Sequence, residues 1–151
     1  MRMISTIFVA LVSVFSSSTF ATDVKIDDAW IRAMPPTSRV VPIYLTMENT
    51  GSKTVSLTAI SSPRGYVEIH QTLMKDGMMR MQQVDKVDIS AGGKSKLEPA
   101  GFHGMLMNFT DGVPAKGESV PLTLTLSNGD KVSITATVKM SADTEDHSHH
   151  H

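Results

Sequence analysis

From Val24 onward, apolar and polar side chains alternate in short runs separated by turn-forming residues. A period of two marks half-buried strands. The pattern predicts strands over residues 24–33, 41–49, 54–61, 65–73, 78–84, 102–109, 118–127 and 131–139. Pro35-Pro36, Asn49-Thr50-Gly51, Asp76-Gly77, Gly92-Gly93, Pro114 and Asn128-Gly129 separate them with turn chemistry. No window carries a 3.6-residue period. Many short strands at this spacing predict an all-β sandwich or barrel, with runs such as LTLTLS and SITAT half-buried.

The two ends depart from this pattern. Met1-Arg2, the apolar run from Ile4 to Phe15 and the small-x-small site Thr19-Phe20-Ala21 read as a secretory leader over residues 1–21. The apolar run is shorter than the roughly 20 residues that span a bilayer, and the leader has no cysteine to acylate. The mature protein is therefore expected in a bacterial periplasm. From Ser141 the sequence SADTEDHSHHH loses all apolar patterning and reads as a flexible His-rich tail, residues 141–151. Between them, residues 22–140 form one domain, and no internal repeat divides it.

Composition then narrows the chemistry. The 151 residues include no cysteine, so the fold rests on packing alone and offers no thiolate to a metal or substrate. The formal net charge is −1, with no basic run or aromatic-basic patch, which argues against a nucleic-acid partner. No heptad or long apolar edge suggests an obligate dimer, and a monomer is expected. The one bias is 11 methionines against 5 phenylalanines and 1 tryptophan. Methionine is a flexible core filler, so the plain reading of that bias is a soft core.

A more pointed reading comes from two segments. In AGFHGMLMNF, residues 100–109, an extended backbone places His103, Met105, Met107 and Phe109 on one face. In EIHQTLMKDGMMRMQQV, residues 68–84, Asp76-Gly77 is a two-residue hairpin signal. With those residues at the turn, Lys75 pairs with Met78, Met74 with Met79, Thr72 with Met81 and His70 with Gln83. His70, Thr72, Met74, Met79, Met81 and Gln83 then share a face. His70 and Met81 are diagonal neighbours about 7–8 Å apart at the backbone, close enough for long side chains to converge on one ion. His103 and Met105 have similar reach.

Thioethers are soft and neutral and favour Cu(I), whereas imidazole accepts Cu(I) or zinc. Two imidazoles and two thioethers hold Cu(I) without deprotonating a thiol. The missing cysteine sets this group apart from a blue-copper electron-transfer centre and favours holding and releasing the ion.

The spacing itself, His70, ten residues, Met81, twenty-one residues, then His103-Gly104-Met105, resembles the signature of the periplasmic copper chaperones called PCu(A)C. The segments AWIRAMPP, YLTMENTG, DGMMRMQQV and PAGFHGMLMNF extend that resemblance over about residues 24–139. It implies a cupredoxin-like Greek-key β-barrel with His70, Met81, His103 and Met105 as Cu(I) ligands. It also implies passage of copper toward the binuclear copper site of cytochrome c oxidase, directly or through another copper assembly factor. Many members carry a methionine one or two positions after the first histidine, where this chain has Gln71 and Thr72. Met74 and Met79 lie on the same expected face.

Each of these residues has a plainer role available: a hydrogen-bonded strand histidine, or a methionine in the core. Met107 is expected to pack beneath the site, Met78 to face the core, and Trp30 and Phe102 to be core or shielding residues. Glu68 shares the His70 face and would complete a harder histidine–carboxylate zinc site. In the tail, His147, His149, His150 and His151 form an all-imidazole cluster suited to Cu(II), Ni(II) or Zn(II), or are a purification remnant. No phosphate loop, nucleophile elbow or thiol nucleophile supports an enzyme. The remaining alternatives to copper delivery are copper buffering without a dedicated recipient and a structural β-sandwich module.

Overall fold

Ten strands and no helix form among the residues described by the structure, a computed structural model covering residues 23–141. They are β1 (Val24–Arg32), β2 (Val40–Asn49), β3 (Val55–Ser61), β4 (Tyr66–Lys75), β5 (Met78–Gln83), β6 (Val87–Ile89), β7 (Lys94–Leu97), β8 (Phe102–Met107), β9 (Ser119–Leu126) and β10 (Lys131–Lys139). The expected leader, residues 1–21, and the tail histidines lie outside the described residues.

All eight expected strands form. β6 and β7 were not expected, because runs as short as VDI and KSKL are too brief for alternation to register. β8 ends at Met107, two residues before the expected limit, where Asn108 turns the chain with a φ of 51°.

The strands form one hydrogen-bonded sheet in the order β5-β4-β8-β7-β2-β1-β10-β9-β3-β6, with β8 also paired to β2. Strands distant in sequence thus lie side by side, and the sheet wraps over a single core as a Greek-key β-sandwich. Ile31, Val41, Ile43, Leu57, Leu106, Leu122 and Leu124 are among its fully buried side chains. Every strand except β5 contributes to that core.

The methionines are used differently from the soft-core expectation. Met47 is the one methionine in the core cluster among the described residues, whereas Met34, Met74, Met78, Met79, Met81 and Met140 are exposed. Met78 is 60% exposed, which corrects the expectation that it faces the core. Its side of β5 meets solvent because β5 is an edge strand with no layer packed on it.

One buried polar residue ties the far edge of the sheet to its middle. The Asn49 amide nitrogen donates to the carbonyls of Lys53 (2.7 Å) and Ile89 (3.0 Å), and its oxygen accepts from the Gly51 N–H at 3.0 Å. Asn49 is fully buried, so removing the amide leaves those groups unpaired away from water. Asn49→Ala is expected to lower stability by about 2–4 kcal/mol. Urea unfolding followed by circular dichroism measures the loss as a lower midpoint at unchanged slope.

Candidate metal centre

The two segments singled out in the sequence meet on the outer face of the sheet. β4 lies between β5 and β8, and its register is set from both sides. At the Asp76-Gly77 turn both residues have positive φ, 53° and 74°, as a type I′ hairpin demands. The observed pairs are the expected ones: Lys75 with Met78, Met74 with Met79, Thr72 with Met81 and His70 with Gln83. On the other side His70 pairs with His103 and Glu68 with Met105.

Alternation does the rest. Val67 and Ile69 of β4 and Leu106 of β8 turn into the core, while His70, His103 and Met105 share the outer face. Gly104, between His103 and Met105, is paired with both Ile69 and Ile43. A Cβ there would lie 3.0 Å from the Ile43 Cβ, so glycine lets β8 sit close against its neighbour.

Met81, His103 and Met105 line one cleft of about 230 Å³, together with Val40, Pro42, Tyr44 and Pro99. His70 stands beside it, its ring centroid 6.2 Å from that of His103 with the planes 29° apart. The two histidines are direct partners across the β4–β8 pairing. The four candidate residues are thereby brought together. They differ in exposure: His103 is 4% exposed and Met81 63%.

The hydrogen bonds of the two histidines are one-sided. His70 Nε2 lies 2.8 Å from Glu68 Oε2, and His103 Nδ1 lies 3.2 Å from the Gly101 carbonyl oxygen. Both partners are acceptors, so in the neutral rings those nitrogens carry the protons. His70 Nδ1 and His103 Nε2 are left with bare lone pairs, and both are buried without a hydrogen-bond partner. Buried polar atoms are almost always satisfied, so two such nitrogens on cross-strand neighbours are free to bond a further group; Arg64 Nη1, away from this face, is also without a partner. The Thr72 hydroxyl, also on this face, is likewise buried and unpartnered.

Glu68 acts here through its hydrogen bond to His70, fixing the ring's tautomer and orientation in the way carboxylates support metal-bound histidines. Among the described residues no group of three or more His, Cys, Asp or Glu could hold a metal, which leaves the zinc alternative without its ligands. The Gly101 carbonyl also accepts from the Thr72 backbone N–H at 3.0 Å, so the group that orients His103 is itself anchored to β4. The spacing of the chemistry-bearing residues carried no sign of this backbone contribution.

Tyr44 and Pro99 wall the cleft and also line a larger neighbouring one, of about 430 Å³, that contains Trp30. Trp30 packs on Tyr44 with ring centroids 4.8 Å apart, behind the wall that Tyr44 gives the smaller cleft. Burial pushes the Tyr44 hydroxyl above its ordinary pKa, with Arg32 working against the shift. The phenol therefore stays neutral at neutral pH. Phe102 turns inward and packs against the core, and Met107 is half-buried on the outer face.

Comparison with known proteins bears on this arrangement. The LpqE-like family model, described as "Putative lipoprotein LpqE-like", matches residues 24–138. No curated protein matches the chain. Among solved structures, the copper-bound PCuAC domain from PmoF2 shares the fold at 19% identity and a TM-score of 0.67, over 81% of this chain and 97% of that one. The apo solution structure of DR1885 from Deinococcus radiodurans is 26% identical with a TM-score of 0.61, over 93% of this chain and 95% of that one. The Cu(I) solution structure of DR1885 is 30% identical with a TM-score of 0.61, over 75% and 76%.

The tautomers can be checked without metal. Nitrogen-15 NMR of the metal-free protein at a pH where both rings are neutral is expected to show His70 protonated at Nε2 and His103 at Nδ1. In Glu68→Ala the His70 signals move toward a mixture of tautomers while His103 keeps its own. A wild-type His70 protonated at Nδ1 contradicts the assigned role of Glu68.

Proposed function

Because the chain belongs to the LpqE-like family, that of the PCuAC domains, we propose that it is a periplasmic carrier of Cu(I). The ion is bound by His70, Met81, His103 and Met105 and handed on for assembly of the binuclear copper site of cytochrome c oxidase. The recipient is the oxidase subunit that holds that site or another copper assembly factor. The observation that carries the reading is the pair of bare, buried nitrogens, His70 Nδ1 and His103 Nε2, on directly paired residues.

The donor set explains the choice of ion. Two neutral imidazoles and two thioethers leave the single charge of Cu(I) uncompensated, which is tolerable for a monovalent ion and poor for a divalent one. Their softness favours copper over zinc. Glu68 stands behind His70 and supplies a negative charge one ring away, where it raises the ring's donor strength without binding the ion.

Release is favoured by the same geometry. His103 is enclosed by Tyr44 and Pro99, while Met81 projects from an edge strand exposed along its length. A recipient's soft ligand can therefore reach the ion from the Met81 side of the cleft. This open side suits transfer of the ion to a partner. Residues 1–21 are read as the leader for export, residues 22–140 as the carrier domain, and His147, His149, His150 and His151 as a second, imidazole-only site for Cu(II).

The test is an anaerobic competition between the full chain and a chromophoric Cu(I) chelator, with circular dichroism to establish that each variant folds. Wild type is expected to withhold one equivalent from the chelator. Met81→Ala and His103→Ala should each weaken binding by more than the roughly 10- to 100-fold that follows loss of an orienting partner. A structural module would show unchanged copper competition in both folded variants, and that result would refute the proposal.

A further inference from the structure

Two methionines on the ligand face take no part in the proposed ligand set. Met74 and Met79 are direct cross-strand partners beside the Asp76-Gly77 turn, on the face that also carries His70 and Met81. They are 69% and 63% exposed. Burying such a side chain is worth about 1.5–3 kcal/mol, so a hairpin retained for packing would cover at least one of its faces. Here β5 covers neither: all six of its residues are exposed.

Geometry gathers three sulfurs. Cross-strand partners lie about 4.5–5.5 Å apart, and positions two apart on a strand about 7 Å apart. Met74, Met79 and Met81 therefore form a tight triangle of backbone positions. Each side chain has three rotatable bonds and reaches easily to a common point. The nearby cations face away, because Lys75 pairs with Met78 and Arg80 with Leu73 on the opposite side of the hairpin. Nothing positively charged on the hairpin's ligand face repels an arriving ion.

We propose that Met74, Met79 and Met81 form an all-thioether station for Cu(I) at the open edge of the sheet, through which the ion enters and leaves the His70–His103 site. This rests on the reading of the domain as a Cu(I) carrier. Met81 belongs to both positions and lines the cleft with His103 and Met105. As the ion moves outward, its bonds to the imidazoles and Met105 break while bonds to the Met74 and Met79 sulfurs form. Copper stays Cu(I) throughout, and every donor is neutral before and after, so no electron or proton is transferred.

The experiment uses the full chain labelled with carbon-13 at the methionine methyl groups and titrated anaerobically with Cu(I), then separately with Ag(I) as a soft ion that does not change oxidation state. The first equivalent is expected to shift the methyl signals of Met81 and Met105, and further ion those of Met74 and Met79. Met74→Leu/Met79→Leu, which keeps the apolar bulk and removes the sulfurs, should retain the first equivalent and transfer Cu(I) to a chelating acceptor more slowly. If Met81 and Met105 shift while Met74 and Met79 stay fixed at excess ion, the station is wrong and the carrier reading stands. If none of the four methyl groups moves, both fall.

Discussion

The register of β4 is the constraint on which the rest depends. A strand's side chains alternate, so a slip of one residue would carry His70 into the core and Ile69 to the surface. Two independent devices prevent that slip. The Asp76-Gly77 turn, with positive φ at both residues, fixes β4 against β5. The inward packing of Val67, Ile69 and Leu106 fixes β4 against β8. The face that carries His70, His103 and Met105 is thus specified by the core on its other side.

The outer face of the sheet gathers polar atoms that the protein itself does not satisfy. Leaving a buried polar nitrogen unpaired costs stability, on the order of 1–3 kcal/mol for each. Among the described residues His70 Nδ1 and His103 Nε2 carry that cost, as do Thr72 Oγ1 and Arg64 Nη1, while the other nitrogen of each ring is satisfied. Local violations of this kind are expected where function overrides packing. Exposure across the group is uneven: the imidazoles are sheltered, whereas Met81 is open to solvent.

Much of this was legible in the sequence, for identifiable reasons. Alternation showed eight strands, and the Asp-Gly dipeptide fixed a hairpin register that the structure reproduces pair by pair. The spacing of His70, Met81, His103 and Met105 pointed to the PCuAC domains among which the chain's structural relatives lie. The pairing of His70 with His103 was not legible, because it joins strands separated by three intervening segments and is decided by tertiary packing. Nor was the exposure of Met78, which depends on β5 being an edge. Glu68 was visible only as a possible ligand; its position behind His70 needed coordinates. The Gly101 carbonyl had no signal at all, since a backbone group carries no residue identity.

The central claim is that imidazoles from two strands and thioethers from two strands meet on one copper ion. X-ray absorption at the copper edge of the Cu(I)-loaded full chain, with Met81→Ala beside it, tests this most directly. The account predicts a mixed shell of nitrogen and sulfur donors in the wild type, with the sulfur contribution reduced in Met81→Ala. A shell of nitrogen alone, unchanged by that substitution, would place the copper on histidines elsewhere and contradict the account.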